Sequence, residues 1–333
     1  MTDNRVSLAA QWTEIFTADG SAPPEKLSVQ SWLRYSLIIR RVEFLPLTVT
    51  VPLVPALLMA RTMRELLSLD MLLATIVVVV SIQIGNMANC LADRRMDAIY
   101  KTRLSRAVYG LGVGRVIRQI VIAMVIVGVA EGWLTYRTGH LDLLLIGGLW
   151  AVLGMGYSLP PLHLNGRGIW QLPVLHAVYF VLPGLFVLRA FEGPLSWAAI
   201  AAICGFSLTN IGIIVISHAE DFPEDELYSV MTYVRTLGLT RAVGLGVAML
   251  TLGAIVVTAS IVVLAGPVWG LVPYLAACLF AVRFMARTAR AVRGKPVDEG
   301  VAVLRASSKL APLHTLLVGW TTVVVAAFAF AAR

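Results

Sequence analysis

Long apolar blocks separated by short polar stretches run through this chain. Nine of them lie near residues 36–60, 70–92, 114–136, 141–159, 169–190, 195–218, 239–264, 267–288 and 310–332. An apolar block of about 18 residues or more with few charges is long enough to cross the hydrocarbon core of a bilayer as a helix. The pattern therefore predicts an all-α, polytopic membrane protein of nine transmembrane helices. Residues 35–333 form its membrane domain. Residues 1–34, mixed and polar with Pro23 and Pro24, read as a cytosolic lead-in with room for an interfacial helix, and no cleavable signal peptide is visible.

Composition narrows the class further. Of 333 residues 58% are hydrophobic and 14% charged, against about 25% charged in an ordinary soluble domain. A soluble fold of this length could not hide so much apolar surface. The net charge of +8 does not point to nucleic acid, because the basic residues sit in loops between the blocks. Cys90, Cys204 and Cys278 lie far apart inside apolar stretches, which suits packing rather than a disulfide framework or thiolate metal site.

Lys and Arg in the loops set the expected orientation. Seven basic residues fall between Arg94 and Arg118 and seven between Arg283 and Lys309, with Arg167, Arg235 and Arg241 in the other loops of that side. The opposite loops hold Arg61, Arg64, Arg137 and Arg189, with Arg333 at the end. The amino terminus and the long loops are thus expected in the cytoplasm of a cell-membrane protein, and the carboxyl terminus outside. The basic 283–309 segment reads as topology and attraction to anionic lipid.

Acidic residues at the ends of apolar helices are costly and mark functional sites. Asn89, Asp93 and Asp97 form an NxxxDxxxD pattern at the end of the second block, and Asp221 and Asp225 a DxxxD pattern at the end of the sixth. Residues four apart share a helix face, so Asn86, Asn89, Asp93 and Asp97 make one column and Ser217, Asp221 and Asp225 another, with Asn210 deeper. Two carboxylate columns on one cavity repel unless cations lie between them. Mg²⁺ suits them: it takes oxygen ligands and is bound by one or two carboxylates together with substrate phosphates. Lys101, Arg103 and Arg106 follow the first motif and are candidates to hold a diphosphate by charge-assisted hydrogen bonds. Arg94 and Arg95 point off the column. Tyr157 and Ser158, where Pro160 and Pro161 end the fourth block, put hydroxyls at the membrane–water boundary. On the residues alone Tyr157 reads as an interfacial anchor.

With these three landmarks in order, Asn89xxxAsp93xxxAsp97, Tyr157-Ser158-Leu-Pro160-Pro161 and Asp221xxxAsp225, followed by Thr232 and Leu237-Gly238, the chain resembles the UbiA superfamily of intramembrane prenyltransferases from about residue 30 to its end. The resemblance implies a nine-helix bundle around a central cavity open to the bilayer. It implies Mg²⁺ held by Asn89, Asp93, Asp97, Asp221 and Asp225, and an isoprenyl diphosphate bound with help from Asn89, Lys101, Arg103, Tyr157 and Ser158. The implied reaction expels diphosphate and passes the allylic cation to an aromatic or other lipophilic acceptor.

The chain departs from the family pattern in places. The stretch Lys101-Thr-Arg103-Leu-Ser-Arg106 lacks the prolines of a usual Lys-Pro-x-Arg-Pro run, Ser229 stands where a glycine is common, and His218-Ala-Glu220 precedes Asp221. Arg40, Arg41 and Glu43 are candidates for acceptor recognition, whereas Glu131 and His176 read as packing groups. The superfamily also includes membrane-bound terpene cyclases, which ionise the same diphosphate and need no acceptor. That is the rival reading; a transporter is a weaker one, because the acids sit at helix ends rather than at the bilayer midplane.

Overall fold

The computed structural model describes residues 7–17, 26–191 and 193–333; Pro23 and Pro24 lie outside the described residues. Those residues are almost entirely helical, with one isolated bridge between Gly168 and Thr232. Among them eight helices have the length and apolar composition to cross a membrane: Val42–Met59, Leu69–Ala92, Val113–Thr138, Gln171–Arg189, Trp197–Glu220, Leu239–Ala265, Leu271–Val292 and Ala311–Ala331. The expected span at 141–159 is a shorter apolar helix, Asp142–Ser158. Its first residue pairs with Arg189 and its last contacts Asn89, so it runs between the two ends of the bundle.

The first span differs from expectation. Instead of one helix over 36–60, a helix Val29–Ile39 ends at Arg40, the chain turns at Arg41, and helical structure resumes from Val42. Arg41 sits at φ 51, an uncommon left-handed conformation for a residue other than glycine. Pro46 explains the restart, since its fixed φ and missing N–H suit the first turn of a helix and oppose continuation through one. In the fifth span Pro183 removes a backbone donor, and the turn before it, Ala177–Val181, widens to π geometry. The Trp150 indole N–H donates to the Val178 carbonyl there at 2.8 Å, satisfying a backbone group that lipid could not.

The two halves that carry the acidic motifs repeat one another. In each, a serine N-cap, Ser68 or Ser196, opens a 24-residue helix that closes at an aspartate, Asp93 or Asp221. A short helix follows, Arg94–Tyr100 or Phe222–Leu227, and then another, Thr102–Leu111 or Tyr233–Leu237. A glycine at positive φ, Gly112 at 82° or Gly238 at 77°, turns the chain into the next long helix. Only glycine takes that backbone without steric cost.

Close packing holds the second half. A Cβ on Gly246 would lie 2.6 Å from the Gly212 carbonyl oxygen, and one on Gly253 would lie 2.6 Å from the Gly205 carbonyl oxygen. The two pairs run antiparallel along Trp197–Glu220 and Leu239–Ala265. Small residues bring membrane helices together where hydrophobicity cannot, because lipid is as apolar as the partner helix.

Candidate active site

Both acidic motifs extend their helices past the apolar stretch. The backbone hydrogen bonds Asp93 N to Asn89 O, Asp97 N to Asp93 O and Lys101 N to Asp97 O, of 2.8 to 2.9 Å, continue the four-residue column of the first motif through its break at Asp93. Asp225 N to Asp221 O, 2.9 Å, does the same for the second. The columns face one another across a cavity of about 1080 Å³, lined by Asn86, Asn89, Asp93, Asp97, Lys101, Tyr157, Ser158, Ser217, Asp221 and Asp225 at its polar end and by groups such as Val51, Ile82, Leu175, Phe180 and Ile211 deeper in. Lys101 Nζ reaches over to Asp221 Oδ2 at 2.8 Å, joining the two motifs directly.

Hydrogen bonds fix the other polar groups. Asn89 Nδ2 donates to Asp93 Oδ2 and, at 3.1 Å, to Ser158 Oγ, so the first motif and the Tyr157-Ser158 element are in contact. The Tyr157 hydroxyl accepts from Gln171 Nε2 at 2.8 Å. Thr232 Oγ1 donates to Asp225 Oδ2 at 2.9 Å, and Arg235 Nη1 donates to the Asp225 and Val230 carbonyls. His218 Nδ1 lies 3.1 Å from the Tyr233 hydroxyl.

Electrostatics at this end are dominated by desolvated acids. Burial, and then the Asp97 charge, push Asp93 up to about 7 against the pull of Lys101 and Asn89. Burial pushes Asp225 up to about 7, with the Thr232 hydrogen bond opposing, and Asp97 up to about 6, with Lys101 and Arg41 opposing. Lys101 is raised: burial works against its charge, but Asp221 and Asp97 outweigh it. Positive charge arriving beside carboxylates so placed favours their ionised forms. Among the described residues no three His, Cys, Asp or Glu side chains converge closely enough to hold a metal ion by themselves. The side-chain oxygens of Asn89, Asp93, Asp97, Asp221 and Asp225 on the cavity wall are of the kind that fits Mg²⁺, which shares its ligands among a few carboxylates, water and phosphate oxygens.

Not every expected residue reaches the cavity. Arg103 and Arg106 are exposed on the outer face of Thr102–Leu111 and are absent from the lining. The buried positions of that helix are Leu104, Ser105, Ala107, Val108 and Leu111, and this spacing turns both arginines outward. Asn210 is buried and donates to the Phe206 carbonyl, away from the cavity. Arg40 is tied up within the bundle by Gln83 and Gln119, whereas Arg41 lines the cavity, stacks over Phe44 at 4.7 Å and has its buried Nε 3.8 Å from Glu43 Oε1, an ion pair rather than a hydrogen bond. His176 is 2.7 Å from Ser207 Oγ, and Glu131 packs over Gly147 of the adjacent helix.

The structure gives several basic residues roles that the sequence did not signal. Arg94, 1% exposed, donates to the Leu91, Glu14 and Thr17 carbonyls, and Arg95 pairs with Glu14. Together they hold helix Leu8–Phe16 against the first motif, where Glu14 and Ile15 join the cavity lining. The basic 283–309 segment is more than topology: helix Val297–Ser308 pairs Arg305 with the buried Glu224 at 2.7 Å and Ser308 with Glu220. Gln171, which also lines the cavity, was not singled out from the sequence, where its one mark is its place as a polar residue near the start of an apolar block.

Solved structures share this architecture. A structure described for digeranylgeranylglyceryl phosphate synthase in membranes superposes with a TM-score of 0.62 at 16% identity, covering 89% of this chain and 99% of its own. A UbiA homologue from Archaeoglobus fulgidus bound to GPP and Mg²⁺ superposes with a TM-score of 0.59 at 13% identity, over 88% of this chain and 99% of its own. The same homologue bound to DMAPP and Mg²⁺ gives 0.58 at 13% identity over the same shares. No curated protein matches the chain. Residues 49–308 match the UbiA prenyltransferase family, a stretch that carries all three landmarks and both halves of the repeat, and the chain belongs to that family.

Proposed function

We propose that this protein is a Mg²⁺-dependent intramembrane prenyltransferase, which ionises an isoprenyl diphosphate and passes the prenyl group to an aromatic or other lipophilic acceptor. The observation that carries the reading is the Lys101–Asp221 contact, which sets two acidic motifs face to face at the polar mouth of a deep apolar cavity. The fold shared with the homologue bound to GPP and Mg²⁺ supports it. Asn89, Asp93, Asp97, Asp221 and Asp225 would hold the metal. When bound, Mg²⁺ supplies positive charge against the negative charge that grows on a leaving diphosphate.

The chain's own groups have separate tasks in this reading. Lys101 donates to the diphosphate, and the Tyr157 and Ser158 hydroxyls line its seat. Such donors are worth most in a site closed to water. The apolar walls take the prenyl tail and keep water from the cation. The allylic C–O bond breaks with its electron pair leaving on diphosphate; the acceptor carbon forms the new C–C bond and gives up a proton. Arg41, which faces the cavity beside Glu43 at 3.8 Å, is the candidate recognition group for a second substrate, a group that a cyclase would not need. Arg103 is not retained. The membrane topology in this reading has nine crossings, with Asp142–Ser158 as one of them, within a membrane domain of residues 35–333. The motif loops and the 1–34 lead-in then face the cytoplasm.

The test is incubation of the purified protein with Mg²⁺ and geranyl, farnesyl or geranylgeranyl diphosphate, with and without an acceptor extract, followed by mass spectrometry. Consumption only with acceptor is expected, and its loss in Asp93→Ala and Asp225→Ala. A cyclic product formed without acceptor would make the protein a terpene cyclase. Near-normal turnover in either variant would remove the acid motifs from the site.

A further inference from the structure

Gln171 lies at the junction of three elements around the cavity, 4% exposed, and its amide orientation follows from its neighbours. Its Oε1 accepts from the backbone N–H of Tyr233 at 3.1 Å. A backbone N–H can only donate, so the carbonyl end of the amide must face Tyr233. The NH₂ end then faces Tyr157, where Nε2 lies 2.8 Å from the hydroxyl oxygen. Since an amide NH₂ has no acceptor capacity, the phenol oxygen takes the hydrogen bond and the phenol's single O–H is left to point elsewhere. Among the described residues no other hydrogen bond engages that hydroxyl. It lines the cavity, within electrostatic reach of both Asp93 and Asp225.

We infer that Gln171 is a positioning residue, which turns the Tyr157 O–H into the cavity as a donor to the diphosphate oxygens of the substrate. The inference rests on the proposed reaction and deepens it. Without the amide N–H, Tyr157 is free to rotate its proton toward whatever acceptor stands in the Gln171 position. Gln171 also connects Tyr157 to the second motif. Tyr233 follows Thr232, whose hydroxyl donates to Asp225, and Gly168 N is bonded to the Met231 carbonyl at 2.6 Å. The donor to the diphosphate and the second acid column are thereby set by one hydrogen-bonded chain.

The test uses Gln171→Glu, which keeps the shape and the acceptor toward Tyr233 but reverses the bond to Tyr157, because an ionised carboxylate can only accept. Assayed at alkaline pH, it is expected to raise the KM for farnesyl diphosphate and the Kd for Mg²⁺ with inorganic diphosphate by at least the factor seen for Tyr157→Phe. That factor is about ten- to a hundredfold for a hydrogen bond to a charged group. In the Tyr157→Phe background the loss from Gln171→Glu should shrink by the part that acts through the Tyr157 hydroxyl, leaving only the repulsion between the new carboxylate and the anionic ligand. Gln171→Met, which can neither donate nor accept, should fall between wild type and Gln171→Glu and keeps the test decisive if Gln171→Glu does not fold. Full additivity of the two losses, or wild-type affinity in Gln171→Glu, overturns the inference. A wild-type protein that binds neither ligand overturns the proposed function instead.

Discussion

Asp93, Asp97 and Asp225 each hold their protons more tightly than an ordinary carboxylic acid, at about 7, 6 and 7. Their folded values are raised, so with divalent cations chelated their contribution to stability is present below the ordinary carboxylate range and is lost as pH rises through about 6 to 7. Mg²⁺ needs the ionised forms. Its stabilising effect should therefore be small at pH 5.5 and full at pH 8, where a ligand at a hundred times its Kd contributes about 2.7 kcal/mol. Melting temperatures in detergent with chelator and with Mg²⁺ measure this, and Asp93→Asn should shrink the increment. An increment equal at the two pH values would remove these carboxylates from metal binding. The acids were legible in the sequence because a charge at the end of an apolar helix stands out. Their partners were not. Lys101 was singled out beside the first motif, yet its contact with Asp221, 120 residues away, depends on how two helices lie together.

Two glycine pairs hold the helix that carries Asp221 against Leu239–Ala265. At Gly246 an added Cβ would meet backbone, not the yielding end of a side chain, so relief requires the helices to part. Gly246→Val is expected to lower stability by about 1–3 kcal/mol or more and to reduce activity by moving the second motif. Gly244→Ala, where a Cβ meets nothing within 4 Å, should be neutral or slightly stabilising. Thermal melts with activity assays compare the two; equal effects would mean that close approach does not set the helix position. The same element is braced from outside by Arg305 on Glu224. Sequence alone assigned Arg305 to a basic loop, because a short helix lying across the mouth of a bundle has no apolar block to announce it.

Across the whole molecule, the repeat of serine cap, long helix, aspartate, short helices, positive-φ glycine and second long helix places both acid motifs at one end of the bundle. The sequence hinted at this duplication only through the two Asp motifs. The proposed topology of nine crossings puts that end in the cytoplasm and the turn at 266–270 outside. An impermeant thiol reagent on intact cells should then label Trp269→Cys, at a side chain 82% exposed, and label Arg103→Cys only after permeabilisation. The reverse pattern would invert the topology, and labelling of both from one side would mean that the crossings are miscounted.

The apolar blocks determined most of the helices within a few residues, and the four-residue spacing determined which motif groups share a face, because run length and helical period are local properties of the chain. The break at Arg41, the outward turn of Arg103, the anchoring of helix Leu8–Phe16 by Arg94 and the Tyr157–Gln171–Tyr233 chain were decided only in the tertiary structure. The reason lies in the solvent. In water a helix marks its inner face with an apolar stripe. Here lipid is as apolar as the bundle interior, and Val113–Thr138 exposes Val121, Ile122 and Val125 while burying Val116, Ile120 and Ala123. With valine and isoleucine on both faces, hydrophobicity does not tell how each helix is rotated, and side-chain packing and polar contacts between distant segments set it.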